Sequence, residues 1–377
     1  MRGGDRSERR WPPSFRTPSS SPPSPSRASR PATAPGPAPD VPGRVVRVDR
    51  GQCDLVTPLG TLRADTEFVV PRDPLRVVCT GDWAVVDATG NPPYVRALLP
   101  RRTAFVRSTS SKRSEGQVLA ANVEHALIAV SLAAEVDLGR IERFLSLAWS
   151  SGAQPVLVLT KADLVPDETT RSHLLADAAT SAPGVPVLAV SAETGEGVDE
   201  LAAAVAGGTT ALLGQSGAGK STLANALLGR AAQTVRTVRD RDHKGRHTTT
   251  TRNLLPLPAE RGGGVLIDTP GLRGVGLWDA EDGLGHTFAE IEELAADCRF
   301  ADCAHVAEPG CAVLAAVESG TLPERRLDSY RKLLRENARL AARTDARLRA
   351  EQHREAKQRQ ALGRHMMERK RGPRRRS

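Results

Sequence analysis

Aromatic residues make up 3% of the 377-residue chain: six Phe, four Trp and two Tyr. The hydrophobic share is nonetheless 39%, enough for ordinary cores. No run of about eighteen apolar residues occurs, which excludes a transmembrane helix and makes a membrane an unexpected partner. The first residues contain Arg but no apolar core segment, so they do not read as a secretory signal, and a cytoplasmic location is expected. There are five cysteines, an odd number, and three of them fall late, as Cys298, Cys303 and Cys311. That pattern argues against a disulfide framework and for a metal site in a reducing compartment.

What the chain has in excess is positive charge. Its formal net charge is +9 and its isoelectric point is near 9.8. Such a balance suggests an anionic partner, with nucleic acid ahead of a membrane surface, although Arg-rich tails contribute much of it. The length predicts two or three domains. Residues 1–40, rich in Pro, Ser, Arg and Ala, cannot bury an apolar core and read as a disordered arm. Over residues 41–102, short β-like runs are separated by turn residues: Val45–Val48, Asp54–Val56, Thr61–Arg63, Leu75–Val78 and Trp83–Val86. They predict a small β-barrel of the OB-fold kind. Over residues 103–276, apolar strands alternate with helical stretches, which predicts an α/β domain with a buried, mostly parallel sheet. Residues 277–345 read as a mainly helical metal-binding domain, and residues 346–377 as a basic extension.

The middle region carries the parts of a GTP-binding site in an unusual order. Gly214-Gln215-Ser216-Gly217-Ala218-Gly219-Lys220-Ser221 lies between a predicted strand and a helix over Thr222–Leu228. Gly214 and Gly219 let the backbone wrap a phosphate, Lys220 reaches the β- and γ-phosphates, and Ser221 ligates Mg²⁺. The helix, opening at Thr222, points its positive end at the anion. Asp268-Thr269-Pro270-Gly271 supplies an aspartate that stands behind the ligands of Mg²⁺, and its backbone, through Gly271, can meet the γ-phosphate. Thr160-Lys161-Ala162-Asp163 stands at a strand end well before this loop. The Asp163 carboxylate can accept from both guanine N1–H and N2–H, a donor pair that adenine lacks. Lys161 packs its stem along base or ribose. Thr160 stands where Asn is commoner, with the loss of an amide that could bridge base and loop. Ser191-Ala192 fits the base-support loop, though for that pair alone a plain turn is the commoner explanation.

Lys244–Thr250 reads as the first switch, with Thr248 or Thr249 closing on Mg²⁺ when the γ-phosphate is present. His247 is a candidate helper in catalysis, against the alternative of a simply exposed histidine. Leu272 stands where many GTPases place a water-orienting Gln, so slow intrinsic hydrolysis with outside assistance is expected. The linear order is therefore base reader, base support, phosphate loop, first switch, second switch, which is a circular permutation. It places the second switch directly before the C-terminal region.

Cys298-x4-Cys303-x-His305-x5-Cys311 offers three thiolates and one imidazole, a complete tetrahedral shell for one structural Zn²⁺. Cys53 and Cys79 fall in the predicted barrel and read as small apolar fillers. The C-terminal Arg/Lys-rich stretch from Ser329 reads as helix, either simply solvated or in contact with RNA phosphates.

These motifs resemble the RsgA (YjeQ) family of circularly permuted, small-subunit-dependent GTPases, over roughly Gly43 to Leu340 and including Gln117-Val118-Leu119-Ala120-Ala121-Asn122-Val123. The resemblance implies an N-terminal OB-fold, a permuted P-loop GTPase domain using GTP/GDP and Mg²⁺, and a C-terminal zinc domain. It also implies action late in maturation of the 30S subunit, contact with 16S rRNA near the decoding region, and faster hydrolysis on the subunit. A monomer off the ribosome is expected. Two other classes share some features: permuted GTPases of large-subunit assembly, and non-enzymatic RNA-binding modules with a vestigial nucleotide site. Intact Lys220, Ser221 and Asp268 argue against the second.

Overall fold

The computed structural model of the protein describes residues 40–69, 74–108, 116–229, 253–268 and 281–344. The first elements are β1 (Val41–Asp49), β2 (Gln52–Thr57), β3 (Gly60–Asp65), β4 (Trp83–Asp87) and β5 (Tyr94–Leu98). β1, β2 and β3 form an antiparallel meander, and β4 pairs with both β5 and β1, which closes a five-stranded barrel. Alternation decides which side chains point inward: in β2, Cys53, Leu55 and Thr57 are buried while their neighbours are not. Val45, Ala64, Ala84, Val86 and Val95 complete the barrel core. Burial pushes the Cys53 thiol up to about 12, and the Cys79 thiol faces the Val118 carbonyl at 3.7 Å. Both behave as the small fillers expected.

Leu75–Val78, expected as a strand, instead begins with a 3-10 turn over Pro74–Arg76. Proline lacks the N–H a ladder needs and is preset for the first position of a helical turn. The Arg101 guanidinium takes up the carbonyls of Leu75 and Val77 in place of a strand partner. The strand that sequence reading overlooked, β5, starts immediately after Pro92-Pro93, and its Arg96 and Ala97 are exposed. It therefore lacks the alternation that β2 keeps along its length.

A two-stranded sheet, β6 (Ala104–Ser108) with β7 (Gly116–Ala121), links the barrel to the nucleotide domain. There β8 (His125–Ser131), α1 (Leu138–Ser150), β9 (Gln154–Thr160), α2 (Glu168–Thr180), β10 (Val187–Val190), α3 (Val198–Ala204), β11 (Thr209–Gly214) and α4 (Lys220–Leu228) alternate. β12 (Asn253–Pro256) and β13 (Val265–Asp268) complete the sheet. Strands β10, β9, β8, β11 and β13 lie side by side and parallel, and β12 runs antiparallel to β13. Helices cover both faces, so the strands read as continuous apolar runs, and every residue of β11 is buried. Ile128, Leu157, Leu159, Leu213 and Ile267 are fully buried, each contributing about 1.5–3 kcal/mol of hydrophobic stabilisation. The outer strand β12 continues into the barrel through the pair Arg47↔Asn253. Buried Arg44 reinforces this junction, donating to the Asn122 carbonyl and the Thr209 hydroxyl, each at 3.1 Å. Burial lowers its guanidinium to about 10.

The C-terminal region comprises α5 (Glu281–Thr287), α6 (Ala289–Ala295), α7 (Ala312–Glu318) and α8 (Glu324–Thr344). It docks on α1. A Cβ at Gly283 would stand 2.2 Å from the Ser146 carbonyl oxygen, so only glycine allows this approach. The buried Glu142 carboxylate of α1 accepts from Arg325 and Arg326 of α8, each at 2.9 Å. Arg326 also donates to the Thr287 carbonyl and lies 4.5 Å from the centre of the Phe288 ring. α8 begins earlier than the Arg/Lys-rich run suggested, because Pro323 opens its first turn by accepting from the Arg326 N–H. No helix among the described residues is long and apolar enough to cross a membrane.

Candidate nucleotide and metal sites

Parallel strands bring their C-terminal ends to one edge of a sheet, and ligands bind at that edge. Here β9 ends at Thr160, β10 at Val190, β11 at Gly214 and β13 at Asp268. In register, Thr160 pairs with both Ser131 and Val190, and Gly214 with Ala129. Base reader, base support and phosphate loop, separated along the chain, are thereby placed side by side.

Gly214 leaves β11 at φ 131°, and a Cβ there would lie 2.4 Å from the Ala129 carbonyl oxygen. Gly219 caps α4 at φ 78°. These positive dihedrals turn the loop back so that its N–H groups face a common concavity. Gln215, Ser216 and Gly217 are exposed, Ala218 is buried, and Ser221 and Thr222 lie in the first turn of α4. The Lys220 ammonium lies across the loop, donating to the Gly214 carbonyl at 2.7 Å and to the Gln215 carbonyl. The Lys220 ammonium, the loop and the first turn of α4 with Ser221 thus lie together, which suits a polyphosphate with its metal.

The base-reading segment is tied to this loop. The Thr160 hydroxyl donates to the Ala218 carbonyl at 2.9 Å and lies 3.3 Å from the Val130 carbonyl. Threonine here does not forfeit the bridge to the loop, contrary to the expectation from its replacement of Asn. The hydroxyl is a shorter donor, but β9 stands close enough to the loop for it to reach. Lys161 takes the left-handed conformation, φ 61°. With Gln215, Ser216, Gly217 and Arg140, it lines a cavity of about 230 Å³ beside the loop. Ala162 is buried, and the exposed Asp163 follows it. The buried Ser191 donates to Asp163 Oδ1 at 2.6 Å and accepts from the Thr194 N–H at 3.2 Å. Ala192 follows in the same turn. Ser191 thus restrains one oxygen of the exposed Asp163 carboxylate.

Thr248, Thr249, His247, Gly271 and Leu272 lie outside the described residues, as does the side chain of Asp268.

The second site assembles in the C-terminal region. Cys298, Cys303, His305 and Cys311 present ligand atoms all within 4.8 Å of one another. Cys298 Sγ lies 3.8 Å from Cys311 Sγ and 3.6 Å from His305 Nδ1, and Cys311 Sγ lies 3.5 Å from His305 Nδ1. Tetrahedral zinc bonds of about 2.3 Å to sulfur and 2.0–2.1 Å to nitrogen give ligand–ligand edges of roughly 3.8 and 3.6 Å. The cluster therefore fits a four-coordinate zinc. Burial raises the Cys298 thiol, but the Val313 and Ala312 N–H groups and the Cys311 and Cys303 thiols outweigh it, so the net shift is downward, toward the thiolate.

Sequence reading missed the support of this cluster. The Glu308 carboxylate accepts from the N–H groups of Val306 at 2.7 Å, Ala307 at 3.0 Å and Ala304 at 3.2 Å. The Val306 and Ala307 N–H groups, foremost, hold its carboxyl down at about 2. Arg331 donates to the His305 carbonyl from α8. A glutamate between two ligands was the available signal, but only the loop geometry assigns it a partner.

A phosphate loop and a base reader meeting at one edge of a parallel sheet, in permuted chain order, define a circularly permuted GTPase. Residues 98–278 match the RsgA GTPase family model. A Streptomyces coelicolor protein described as small ribosomal subunit biogenesis GTPase RsgA is 73% identical over 332 residues, covering 88% of this chain and 90% of its own. A Streptomyces avermitilis protein of the same description is 72% identical over 330 residues, covering 88% of each chain. The crystal structure of YjeQ from Thermotoga maritima superposes with a TM-score of 0.58 at 28% identity, covering 78% of this chain and 98% of that one. The chain belongs to the RsgA GTPase family and is a GTP hydrolase.

Proposed function

We propose that this GTP hydrolase acts in late maturation of the 30S ribosomal subunit, contacts 16S rRNA, and is stimulated by the subunit. The extent of the similarity carries this reading. Identity of 73% over 332 residues reaches well beyond the 98–278 nucleotide region, to protein described as acting in small-subunit biogenesis. It therefore takes in barrel or metal-site sequence as well. The relatives that share it are named for the small subunit, which favours that subunit over the large one.

In this reading Asp163, planar against Ser191, selects guanine, with Lys161 along the base or ribose and Ala192 behind it. Thr160 joins base reader to phosphate loop. The backbone of Gly214–Gly219 and the Lys220 ammonium hold the phosphates and stabilise charge developing on the γ-phosphoryl oxygens. Ser221 and one of Thr248 and Thr249, with Asp268 behind, would hold Mg²⁺, which would supply neutralisation of phosphate charge. Gly271 meets the γ-phosphate. Leu272 cannot orient water by hydrogen bonding, so the subunit supplies or orders what is missing, with His247 as the candidate within this chain. The cysteine–histidine cluster holds one structural Zn²⁺. The domains divide near residues 41–102, 103–276 and 277–345, and the protein is a cytoplasmic monomer off the ribosome.

The test is co-sedimentation with purified 30S and 50S subunits in the presence of a non-hydrolysable GTP analogue or GDP at matched salt. Tighter binding to 30S with the analogue is expected. Preference for 50S subunits, or equal retention in both nucleotide states, contradicts the reading.

A further inference from the structure

Strand β1 serves two cores. Successive residues of a strand point to opposite faces. Val45 closes the barrel core, and Val46 beside it belongs to the apolar cluster of the nucleotide domain, together with Leu254 and Ile267. A second part of the barrel reaches the same place. Gly81, shortly before β4, has φ 95°. Its N–H donates to the Val45 carbonyl at 2.9 Å, and its carbonyl accepts from the Asn122 side chain at 2.9 Å. A Cβ there would overlap the Ala121 carbonyl oxygen and stand 3.2 Å from Ile267 Cδ1. Glycine alone permits this approach of the barrel to Ile267.

The residue after Ile267 is Asp268, the last of β13. Across the sheet Asp268 is in register with Asn253 of β12, and Asn253 with Arg47 of β1. Without the barrel, β12 would be the outer strand of the nucleotide sheet, with an open row of backbone groups. The barrel takes that edge beside Asn253. Ile267 itself is fully buried and pairs with Ala211 on one side and Leu254 on the other. Close-packed interiors pass a displacement on rather than absorb it, so a shift at the barrel contact reaches the neighbouring Asp268. Mg²⁺ demands near-ideal octahedral geometry, which makes a metal-supporting aspartate sensitive to such a shift.

We propose that Val46 and Gly81 are positioning residues for the metal side of the nucleotide site: by bracing Ile267 they fix Asp268, which makes the barrel a part of that site. The inference rests on the reading of Asp268 as the aspartate behind the Mg²⁺ ligands. Damage to the contact should weaken the Mg²⁺-dependent share of nucleotide affinity and spare the share that needs no metal.

The test uses the full chain with Val46→Ala and, as a milder cut, Ile267→Val, which removes the Cδ1 methyl that faces Gly81. Leu55→Ala, which empties space within the barrel core, is the control for general loosening. Asp268→Asn tests the underlying reading. Affinity for a fluorescent, non-hydrolysable GTP analogue is measured across a Mg²⁺ titration and in EDTA. Val46→Ala and Ile267→Val should each raise the Mg²⁺ concentration of half-maximal effect by about threefold or more. Leu55→Ala should leave it at the wild-type value, and affinity in EDTA should be the same in all three. If Asp268→Asn raises that concentration while Val46→Ala and Ile267→Val do not, the proposal is overturned and the reading of Asp268 stands. An equal rise in Leu55→Ala, or a matching loss of affinity in EDTA, also overturns it, because loosening of the whole chain then explains the effect. If Asp268→Asn leaves the Mg²⁺ dependence unchanged, the reading of Asp268 fails and the proposal falls with it.

Discussion

The Thr160 hydroxyl donates to the Ala218 carbonyl oxygen across 2.9 Å, joining the strand that carries the base reader to the loop that carries the phosphates. The two halves of the nucleotide site, distant in sequence, are fixed to each other by this bond and by the register of β9, β8 and β11. A net hydrogen bond of this kind contributes about 1 kcal/mol, or roughly fivefold in an equilibrium constant. Thr160→Val should weaken GDP binding by about that factor while leaving the preference for GDP over inosine diphosphate intact. Thr160→Ser should restore affinity. A fluorescent-nucleotide titration measures both, and a change in base preference would assign Thr160 to base contact instead.

The proposed site makes Asp163 the specificity determinant. Asp163→Asn replaces a carboxylate acceptor by an amide that suits xanthine. Loss of a charge-assisted pair costs about 2–3 kcal/mol, so GTP affinity should fall roughly thirtyfold or more while xanthosine triphosphate binding improves. Competition binding with the two nucleotides reads this directly. Unchanged GTP affinity means that another group reads the base.

The metal centre makes a separable prediction. Cys303→Ser should bring the zinc content of purified protein well below one per chain and loosen the C-terminal helices, with nucleotide binding retained. Glu308→Gln removes no ligand but weakens the cradle of N–H bonds around the loop. Disturbing such support commonly costs about tenfold or more in metal affinity. Competition with a chromophoric chelator measures it, and equal retention by Glu308→Gln and wild type would separate the cradle from the metal.

How far the sequence spoke depended on whether a feature is local. The glycines of the phosphate loop, the strand-end position of Asp163 and the spacing of Cys298, Cys303, His305 and Cys311 are short-range patterns with one dominant structural solution. The barrel was legible from short β-like runs between turn residues, and of its first two strands only β2 alternates its buried side chains throughout. What was not legible is set by partners far along the chain. Leu75 looked like a strand residue until Arg101 took its carbonyl. Thr160 looked like a loss until the distance to Ala218 was known. Nothing in the local sequence assigns partners to Glu308 or Glu142, and each is committed to a looped-back or distant donor.

In the barrel, Asp87 accepts from the Thr89 hydroxyl and N–H, the Tyr94 hydroxyl and the Arg96 guanidinium. The Thr89 hydroxyl, foremost, then the Thr89 N–H and the Tyr94 hydroxyl, hold its carboxyl below the ordinary range, against burial. A carboxylate with a depressed folded-state value adds stability that is complete above its unfolded value of about 3.9 and is lost as pH falls below it. The protection factors of β4 and β5 amides against hydrogen exchange should therefore fall on acidification below about pH 4 in the wild type. Asp87→Asn should start less protected and show a flatter acid dependence. Parallel profiles in the two proteins would remove Asp87 as the cause.

GTP turnover by the purified full chain, with and without purified 30S subunits, tests the account most directly. Slow turnover alone, strong stimulation by 30S but not 50S subunits, and no turnover in either condition for Lys220→Ala are the expected results. Turnover that 30S subunits leave unchanged, or that survives Lys220→Ala, would contradict it.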